Sequence, residues 1–264
     1  RHPHGWCGTY FWLVVPWCCW IPMSRGLDDS VNDRYNYIRR GGRMTKGQAR
    51  AYTADLNRYH TSVDEWNNDA APSPVGAGVE VGFGMGQGLL HWAQQTPDWR
   101  LLGIELFRPG VGSVAAALAK QGIENVGLIE EPAQEVFAML SKHSIDEVRI
   151  YFPDPWPKKR HAKRRLIQSE FIAQIAQSLK PSGLLRIATD WDPYAQWIRE
   201  VMSGQDQLAC QLDQTVAADD LSTIPRTEHT KFEARGRKLG HQIHDLIYCV
   251  SDDAGKKDET TVSK

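Results

Sequence analysis

Cysteine is scarce in this sequence, and none of its five cysteines has a partner at the Cys-x-x-Cys spacing of many zinc sites. Three of the five fall within the first twenty residues. This usage supports neither a zinc site nor a disulfide framework. We therefore expect a protein of the reducing cytoplasm that holds no metal.

A long apolar segment is also missing. The most apolar stretch, residues 10–23, contains prolines and is shorter than the roughly 20 residues that a membrane-spanning helix needs. It lacks the basic start and small-residue cleavage site of a secretory signal. Because the composition changes sharply at Met23, from Trp and Cys to charged and polar residues, we favour a translation start there. Residues 1–22 are then a non-native extension or one derived from untranslated sequence, and no membrane association is expected.

Net charge is nearly absent, since 31 Lys and Arg residues offset all but one of 32 Asp and Glu residues. A polyanionic partner would therefore have to bind a local basic patch. The sequence has no internal repeat and no low-complexity segment. Its 264 residues are enough for one large globular domain, or for one domain with appendages.

A basic patch does follow the apolar segment that ends in Tyr-Phe at residues 151–152. Three prolines, each separated by one residue, hold Asp154 and Trp156 on a stiff loop, because proline fixes φ and lacks an amide hydrogen. Six Lys or Arg residues follow between Lys158 and Arg165, which is well suited to phosphates. We call residues 153–165 the basic ledge and interpret it as functional. The alternative is a structural turn followed by a solvated basic helix.

A glycine-rich turn links a strand to a helix earlier in the chain. Gly-Phe-Gly-Met-Gly occupies residues 82–86. Glycines permit a tight turn and close approach of a ligand, and the following helix N-terminus offers free amide donors. Glu80 lies just before the turn, and Glu105 ends the next strand, 23 residues after Gly82, where a Rossmann-type site binds ribose hydroxyls. The alternative is a plain strand-to-helix turn with a surface Glu.

Strands and helices alternate regularly through the middle of the chain. The predicted strands are Val79–Val81, Leu101–Ile104, Val126–Ile129, Glu147–Phe152 and Leu184–Ala188. The predicted helices are Leu89–Gln95, Val111–Lys120, Ala133–Leu140, Lys163–Leu179 and Pro193–Met202. This alternation predicts an α/β fold, a mainly parallel sheet with helices on both faces. Ligands bind beyond the C-terminal ends of such strands, so the glycine turn, Glu105, Asp154 and Asp190 should share one edge.

The flanking segments are less regular. Residues 23–70 comprise a basic arm, whose composition also fits a disordered tail, and a short helix within residues 48–65. No strong period is found in the polar residues 203–223. We predict a closing strand over residues 245–250 and a disordered tail over residues 252–264. His241 and His244 have a ligand-like spacing, but no cysteine or third histidine accompanies them.

With these motifs in order, the sequence resembles the bacterial tRNA (guanine-N7)-methyltransferase family, which methylates a guanosine in the tRNA variable loop using S-adenosylmethionine. The resemblance covers about residues 37–250. Its most specific segments are Arg39-Arg40 to Gln48, Glu80 to Gly86, Gly103 to Glu105, Phe152 to Trp156 with Lys158 to Arg165, Ala188 to Asp190, and Thr230 to Glu233 followed by Arg235-Gly236.

The resemblance implies a Rossmann-like, doubly wound methyltransferase domain over residues 71–251, with a seven-stranded sheet. It also implies methylation of N7 of guanosine 46 in tRNA, S-adenosylmethionine as cofactor, a cytoplasmic enzyme and a monomer or homodimer. The alternative is a Rossmann-fold methyltransferase acting on another RNA or a small molecule.

The resemblance also implies roles for individual residues. Asp154 would be the catalytic carboxylate. The cofactor would be bound by Glu80, Gly82, Gly84, Gly86, Glu105 and Glu131, and the substrate by Lys158, Asp190, Thr230, Lys231, Phe232 and Glu233. The sequence departs from the family after the third strand, where an Asp near the adenine is replaced by Pro132, so that Glu131 or Glu130 would take its role.

The chemistry needs no strong base, because guanine N7 carries a lone pair near neutral pH. Positive charge develops on the purine, and a preorganised carboxylate such as Asp154 stabilises it and orients the base. Trp156 either stacks on a splayed nucleobase or packs beneath the loop. A small-molecule or protein methyltransferase would not need the basic ledge, and a non-catalytic RNA-binding module would not need the glycine turn. This sequence has both.

Overall fold

The computed structural model describes residues 43–68, 75–217, 219–220 and 231–251. Its α-helices are α1 Lys46–Ala54, α2 Leu56–Tyr59, α3 Val63–Asn68, α4 Gln87–Gln95, α5 Arg108–Gln121, α6 Ala133–Met139, α7 Ser169–Ser178, α8 Asp192–Ser203 and α9 Lys231–Lys238. Its strands are β1 Gly76–Val81, β2 Trp99–Ile104, β3 Val126–Ile129, β4 Ile145–Tyr151, β5 Leu179–Thr189, β6 Leu208–Val216 and β7 Ile243–Val250. A 3₁₀ helix spans Lys159–Arg164.

The seven strands form one sheet in the order β3-β2-β1-β4-β5-β7-β6. The first five in that order are parallel, while β7 is antiparallel to both β5 and β6. The predicted α/β fold with a mainly parallel, seven-stranded sheet is therefore confirmed. In the described ranges, no helix is long and apolar enough to cross a membrane.

Two hydrophobic clusters cover the two faces of the sheet. One contains buried residues of α3, α6, α7 and α8, and the other buried residues of α2, α4 and α5. Successive residues of β2 alternate between them, since Leu101 belongs to the second cluster and Leu102 to the first, as the two-residue period of a strand requires. Helices therefore flank both faces, which leaves the ends of the strands as the open positions for a ligand.

The prediction of one helix over residues 163–179 was wrong in its first part. Residues 159–164 form the 3₁₀ helix, the chain is extended at Gln168, and α7 begins only at Ser169. The reason is tertiary: the backbone N–H of Ile167 donates to the Tyr194 hydroxyl at 3.3 Å, and its carbonyl accepts from Trp197 Nε1 at 2.8 Å. Side chains of α8 thus satisfy backbone groups that a continuous helix would have used.

Strand β6 had no counterpart in the prediction, which found only polar residues with no strong period there. Among the described strands it pairs with β7 alone, as the last strand of the sheet, and most of its residues are exposed or half-buried. An edge strand with few buried positions lacks the apolar alternation by which a strand is recognised.

The basic arm up to residue 42 and the C-terminal tail from residue 252 lie outside the described residues.

Candidate active site

Four predicted site elements lie at one edge of the sheet. The glycine turn follows β1, Glu105 follows β2, Asp154 lies beyond β4, and Asp190 follows β5. These strands are neighbours and run parallel, so their carboxyl ends point the same way. The strand order thus brings together residues that are far apart in the sequence, as the sequence predicted.

The glycine turn adopts a conformation that favours glycine. Gly82, Gly84 and Gly86 have φ angles of 73°, 56° and 80°, in the left-handed region that side chains with a Cβ atom rarely adopt. A Cβ atom at Gly82 would meet no other atom within 4 Å. The backbone at Gly82 is therefore accessible to a ligand.

Glu105 is held by three backbone amides. One carboxylate oxygen accepts from Gly84 N–H at 2.7 Å, and the other accepts from Leu106 N–H at 2.8 Å and Phe107 N–H at 2.9 Å. The contact with Gly84 ties the end of β2 to the glycine turn, a link that no sequence pattern indicated. The oxygen that binds Gly84 has one lone pair left and can accept a further hydrogen bond. The arrangement fits a ribose, whose hydroxyls are donors.

Glu80 lies beneath the glycine turn. It is only 4% exposed, and a Cβ atom at Gly88, in the first turn of α4, would lie 3.0 Å from its Oε1 atom. A carboxylate beside a helix N-terminus is stabilised by the positive end of the helix dipole. Glu80 thus supports the start of α4 from the inside.

The two acids after β3 differ in their surroundings. Glu130 accepts from the Tyr52 hydroxyl of α1 at 2.5 Å and from Arg108 Nε of α5 at 2.7 Å, and this pairing raises the pKa of Arg108. Glu131 is exposed. Both carboxylate oxygens of Glu130 are therefore engaged in joining α1 to α5, and Glu131 remains the predicted partner of the adenine.

The loop around Asp154 is constrained on both sides. Phe152 and Trp156 have φ angles of 51° and 44°, which residues other than glycine adopt rarely and at a cost in energy. Phe152 N–H donates to Ala188 O on β5 at 2.8 Å. The Asp154 residue itself is exposed. The loop therefore holds an exposed Asp154 on a backbone that its surroundings constrain.

The basic ledge is divided by burial. Its exposed cations are Lys158, Lys159, Arg160 and Lys163. Arg164 is half-buried, with its guanidinium carbon 5.1 Å from the ring centre of Trp156. Arg165 is buried. The exposed members form the part of the ledge that is suited to phosphates.

Trp156 packs on the ledge itself. Its ring meets the His161 ring edge-to-face, with the ring centres 5.7 Å apart, and it is half-buried. Partial burial and the positive charges of Arg164, Arg160 and Lys158 lower the pKa of His161. Since its contacts come from exposed and half-buried ledge residues, Trp156 lies at the surface and is not part of the hydrophobic core.

His241 and His244 each bind a carboxylate of the segment that follows β5. His241 Nδ1 lies 3.2 Å from Asp190 Oδ2, and His244 Nε2 lies 2.7 Å from Asp192 Oδ1. Thr215 Oγ1 of β6 contacts His244 Nδ1 at 3.0 Å. In the part of the chain that the structure describes, no group of three or more His, Cys, Asp or Glu residues is arranged to hold a metal ion. The two histidines therefore pair with Asp190 and Asp192, and the sequence analysis did not predict these pairs.

The segment at residues 230–233 is only partly described. Thr230 lies outside the described residues, and Lys231 and Phe232 are the first residues of α9. Glu233 is fully buried and accepts from Arg237 Nε at 3.0 Å. One turn along α9, a Cβ atom at Gly236 would lie 2.5 Å from Asp190 Oδ2. The close approach at Gly236 brings α9 against Asp190, although the Glu233 carboxylate faces inward.

Comparison with known proteins identifies the family. A family model described as "Putative methyltransferase" matches residues 76–246. A tRNA (guanine-N(7)-)-methyltransferase of Ralstonia pickettii (strain 12J) is 40% identical over 220 residues, which are 81% of this chain and 83% of that protein. The chain belongs to the tRNA (guanine-N7)-methyltransferase family.

Other members of the family match over nearly their whole length. The tRNA (guanine-N(7)-)-methyltransferase of Shewanella sp. (strain MR-4) is 37% identical over 247 residues, which are 86% of this chain and 98% of that protein. Among solved structures, an antibiotic-related methyltransferase has a TM-score of 0.54 at 14% identity, covering 72% of this chain and 95% of that one. This second likeness concerns the fold alone and agrees with the α/β architecture.

Proposed function

We propose that this protein methylates N7 of a guanosine in tRNA, at position 46 of the variable loop, using S-adenosylmethionine. One observation carries the proposal. The glycine turn with Glu105 and the basic ledge with Asp154 lie at the same edge of one sheet, beyond neighbouring strands. A site for a nucleoside cofactor therefore adjoins a cationic surface for a polyanion.

The cofactor supplies an activated methyl group when it is bound. Glu105 binds its ribose hydroxyls with the acceptor capacity that the three amide donors leave available. The open backbone at Gly82 accommodates the part of the cofactor nearest the turn. Gly84 and Gly86 allow the left-handed conformation of the turn, and Gly86 also lets it pack against Val114 of α5. Glu80 supports the turn from below, and Glu131 contacts the adenine.

Asp154 acts on the base. Guanine N7 has a free lone pair near neutral pH, so no proton has to be removed from it. The methylated purine carries positive charge, and a carboxylate held in place before the reaction stabilises that charge without having to reorganise. The constrained backbone on either side of Asp154 is what such preorganisation requires.

The remaining residues bind the tRNA. Lys158 and the other exposed cations of the ledge contact phosphates, and Trp156 offers a surface for stacking a base. Asp190 and residues 230–232 contact the guanosine or its neighbours, while the buried Glu233 supports that segment through its pair with Arg237. The enzyme works in the cytoplasm, where its tRNA substrate is found, as a monomer or a homodimer.

The test is methyl transfer from labelled S-adenosylmethionine to an unmodified tRNA transcript, followed by chemical cleavage at the alkylated purine. We expect a single modified base, guanosine 46. A matched transcript with adenosine at position 46 should accept no label. Label at another position, or on small molecules but not on tRNA, would contradict the proposal.

A further inference from the structure

The last arginine of the basic ledge differs from the other cations in its surroundings. Arg165 is only 9% exposed. Its guanidinium carbon lies 5.2 Å from the ring centre of Tyr194 and 5.1 Å from that of Trp197, both on α8. Its Nε–H donates to the carbonyl of Pro155 at 3.0 Å. A buried guanidinium with these partners is poorly placed to bind a phosphate.

We propose that Arg165 is a positioning residue that orients Asp154 for methyl transfer and is not a tRNA ligand. This inference rests on the proposed function. Pro155 directly follows Asp154, so the bond to its carbonyl holds the backbone one residue beyond the carboxylate. The φ angles of Phe152 and Trp156 are costly, and such conformations persist only where the surroundings impose them. Arg165 is one of the groups that impose them.

The aromatic contacts of Arg165 connect it to the segment that carries Asp190. Tyr194 and Trp197 belong to α8, which begins at Asp192, two residues after Asp190. Tyr194 is fully buried, and burial raises the pKa of its hydroxyl, so the ring stays uncharged at neutral pH. Arg165 therefore connects the loop that carries Asp154 to the helix that follows Asp190. It sets the relative position of two acids that the family resemblance assigns to the site.

The chemistry of the side chain explains why an arginine stands here. A planar guanidinium can lie against aromatic rings while its Nε–H donates within the plane of the guanidinium group. A lysine ammonium is instead a compact and strongly hydrated charge. Arg165→Lys keeps the charge and removes this combination. The substitution thus separates a role in positioning from a role of the charge alone.

The first measurement compares Arg165→Lys and Arg165→Gln with Lys163→Gln, which removes an exposed charge two residues earlier. For Arg165→Lys, we expect single-turnover methylation at saturating tRNA to fall by about tenfold to a hundredfold, because a misplacement of about 1 Å has this scale of effect. For Arg165→Gln, which removes the charge, the affinity for tRNA and its salt dependence should not change. For Lys163→Gln, the salt slope should fall by about one unit or less. An equal fall in slope for Arg165→Gln would overturn the proposal.

The second measurement is a double-mutant cycle with Asp154→Asn. If Arg165 acts through Asp154, Arg165→Lys should have little further effect on the residual rate of Asp154→Asn. The same fold-loss in both backgrounds would indicate a general structural role and overturn the proposal. Methylation by the unaltered protein is the reference, and its absence would contradict the proposed function instead.

A third measurement needs no variant and decides the matter if Arg165→Lys fails to fold. In the unaltered protein, the Nε–H proton of Arg165 should exchange slowly with solvent and give an NMR signal shifted by the two aromatic rings. Addition of tRNA should leave that signal in place. Rapid exchange of this proton would contradict the role of Arg165. So would a change in its chemical shift on addition of tRNA as large as that of the exposed cations that bind phosphates.

Discussion

The imidazole of His241 lies 3.2 Å from the carboxylate of Asp190, and these two residues are 51 positions apart in the chain. His241 reaches Asp190 because its own backbone N–H bonds to Gly236 O at 3.0 Å, which folds the segment after α9 back onto that helix. The pair joins the end of β5 to α9, and thus two segments that the family resemblance assigns to substrate binding.

Replacement of His241 by phenylalanine should weaken tRNA use. The ring shape is retained, but the hydrogen bond to Asp190 is lost, at a cost of about 1 to 3 kcal/mol for a bond to a charged group. We expect KM for tRNA to rise about fivefold or more, while calorimetry shows unchanged affinity for S-adenosylmethionine. His244→Phe, which affects Asp192 instead, is the matched control. An unchanged KM would mean that Asp190 holds its position without His241.

Removal of the Glu105 carboxylate should weaken cofactor binding. Glu105→Ala loses the acceptors for the ribose and the bond that holds Gly84, so we expect S-adenosylmethionine to bind about 1 to 3 kcal/mol more weakly by calorimetry. The matched control is Glu124→Ala, which removes an exposed acid just before β3, at the opposite ends of the parallel strands. Unchanged affinity for the Glu105 variant would remove this residue from the site.

Asp154→Asn should affect the chemical step alone, because it keeps the shape of the side chain and removes its charge. Single-turnover methylation should fall by about a hundredfold or more, the scale seen when one preorganised electrostatic contact is lost. Affinities for tRNA and cofactor should change little. A rate near that of the unaltered protein, with both substrates saturating, would leave Asp154 as a binding or structural residue.

Neutralising the exposed cations Lys159, Arg160 and Lys163 together should weaken tRNA binding and flatten its salt dependence. Each lost phosphate contact lowers the slope of log K against log salt by about one unit or less. The control is a variant with Lys120 and Lys142 neutralised, since these exposed lysines lie away from the ledge. If both variants lower the salt slope equally per charge removed, the ledge does not contact tRNA phosphates more than other surface lysines do.

Stability should depend on pH through Asp213. The bidentate pair with Arg199, at 2.6 and 2.7 Å, holds the pKa of Asp213 below its usual value. A lowered folded-state pKa stabilises the protein above the unfolded pKa, near 4, and this contribution is lost as pH falls through the folded value. Because the pair is partly exposed, Asp213→Asn should cost less than about 1 kcal/mol in urea unfolding at pH 7. The difference should shrink progressively as pH falls below about 4, toward and through the lowered pKa of the folded state.

The sequence by itself determined the order of the first five strands and of the helices that follow them, the glycine turn, and the acids that stand at the ends of β2, β4 and β5. These features follow from local chemistry: apolar periodicity, proline and glycine backbone preferences, and the rule that parallel strands expose their carboxyl ends together. The predicted strand cores agree with the structure to within a few residues.

Only the tertiary structure decided which cations are available to a ligand. Lys163 and Arg165 are two residues apart and similar in charge, yet Arg165 is buried against Tyr194 and Trp197 while Lys163 is exposed. The helix break before Ser169, the edge strand β6 and the pairing of His241 with Asp190 were decided in the same way. Each depends on contacts between distant segments, and no local pattern in the sequence encodes which distant partner a side chain meets.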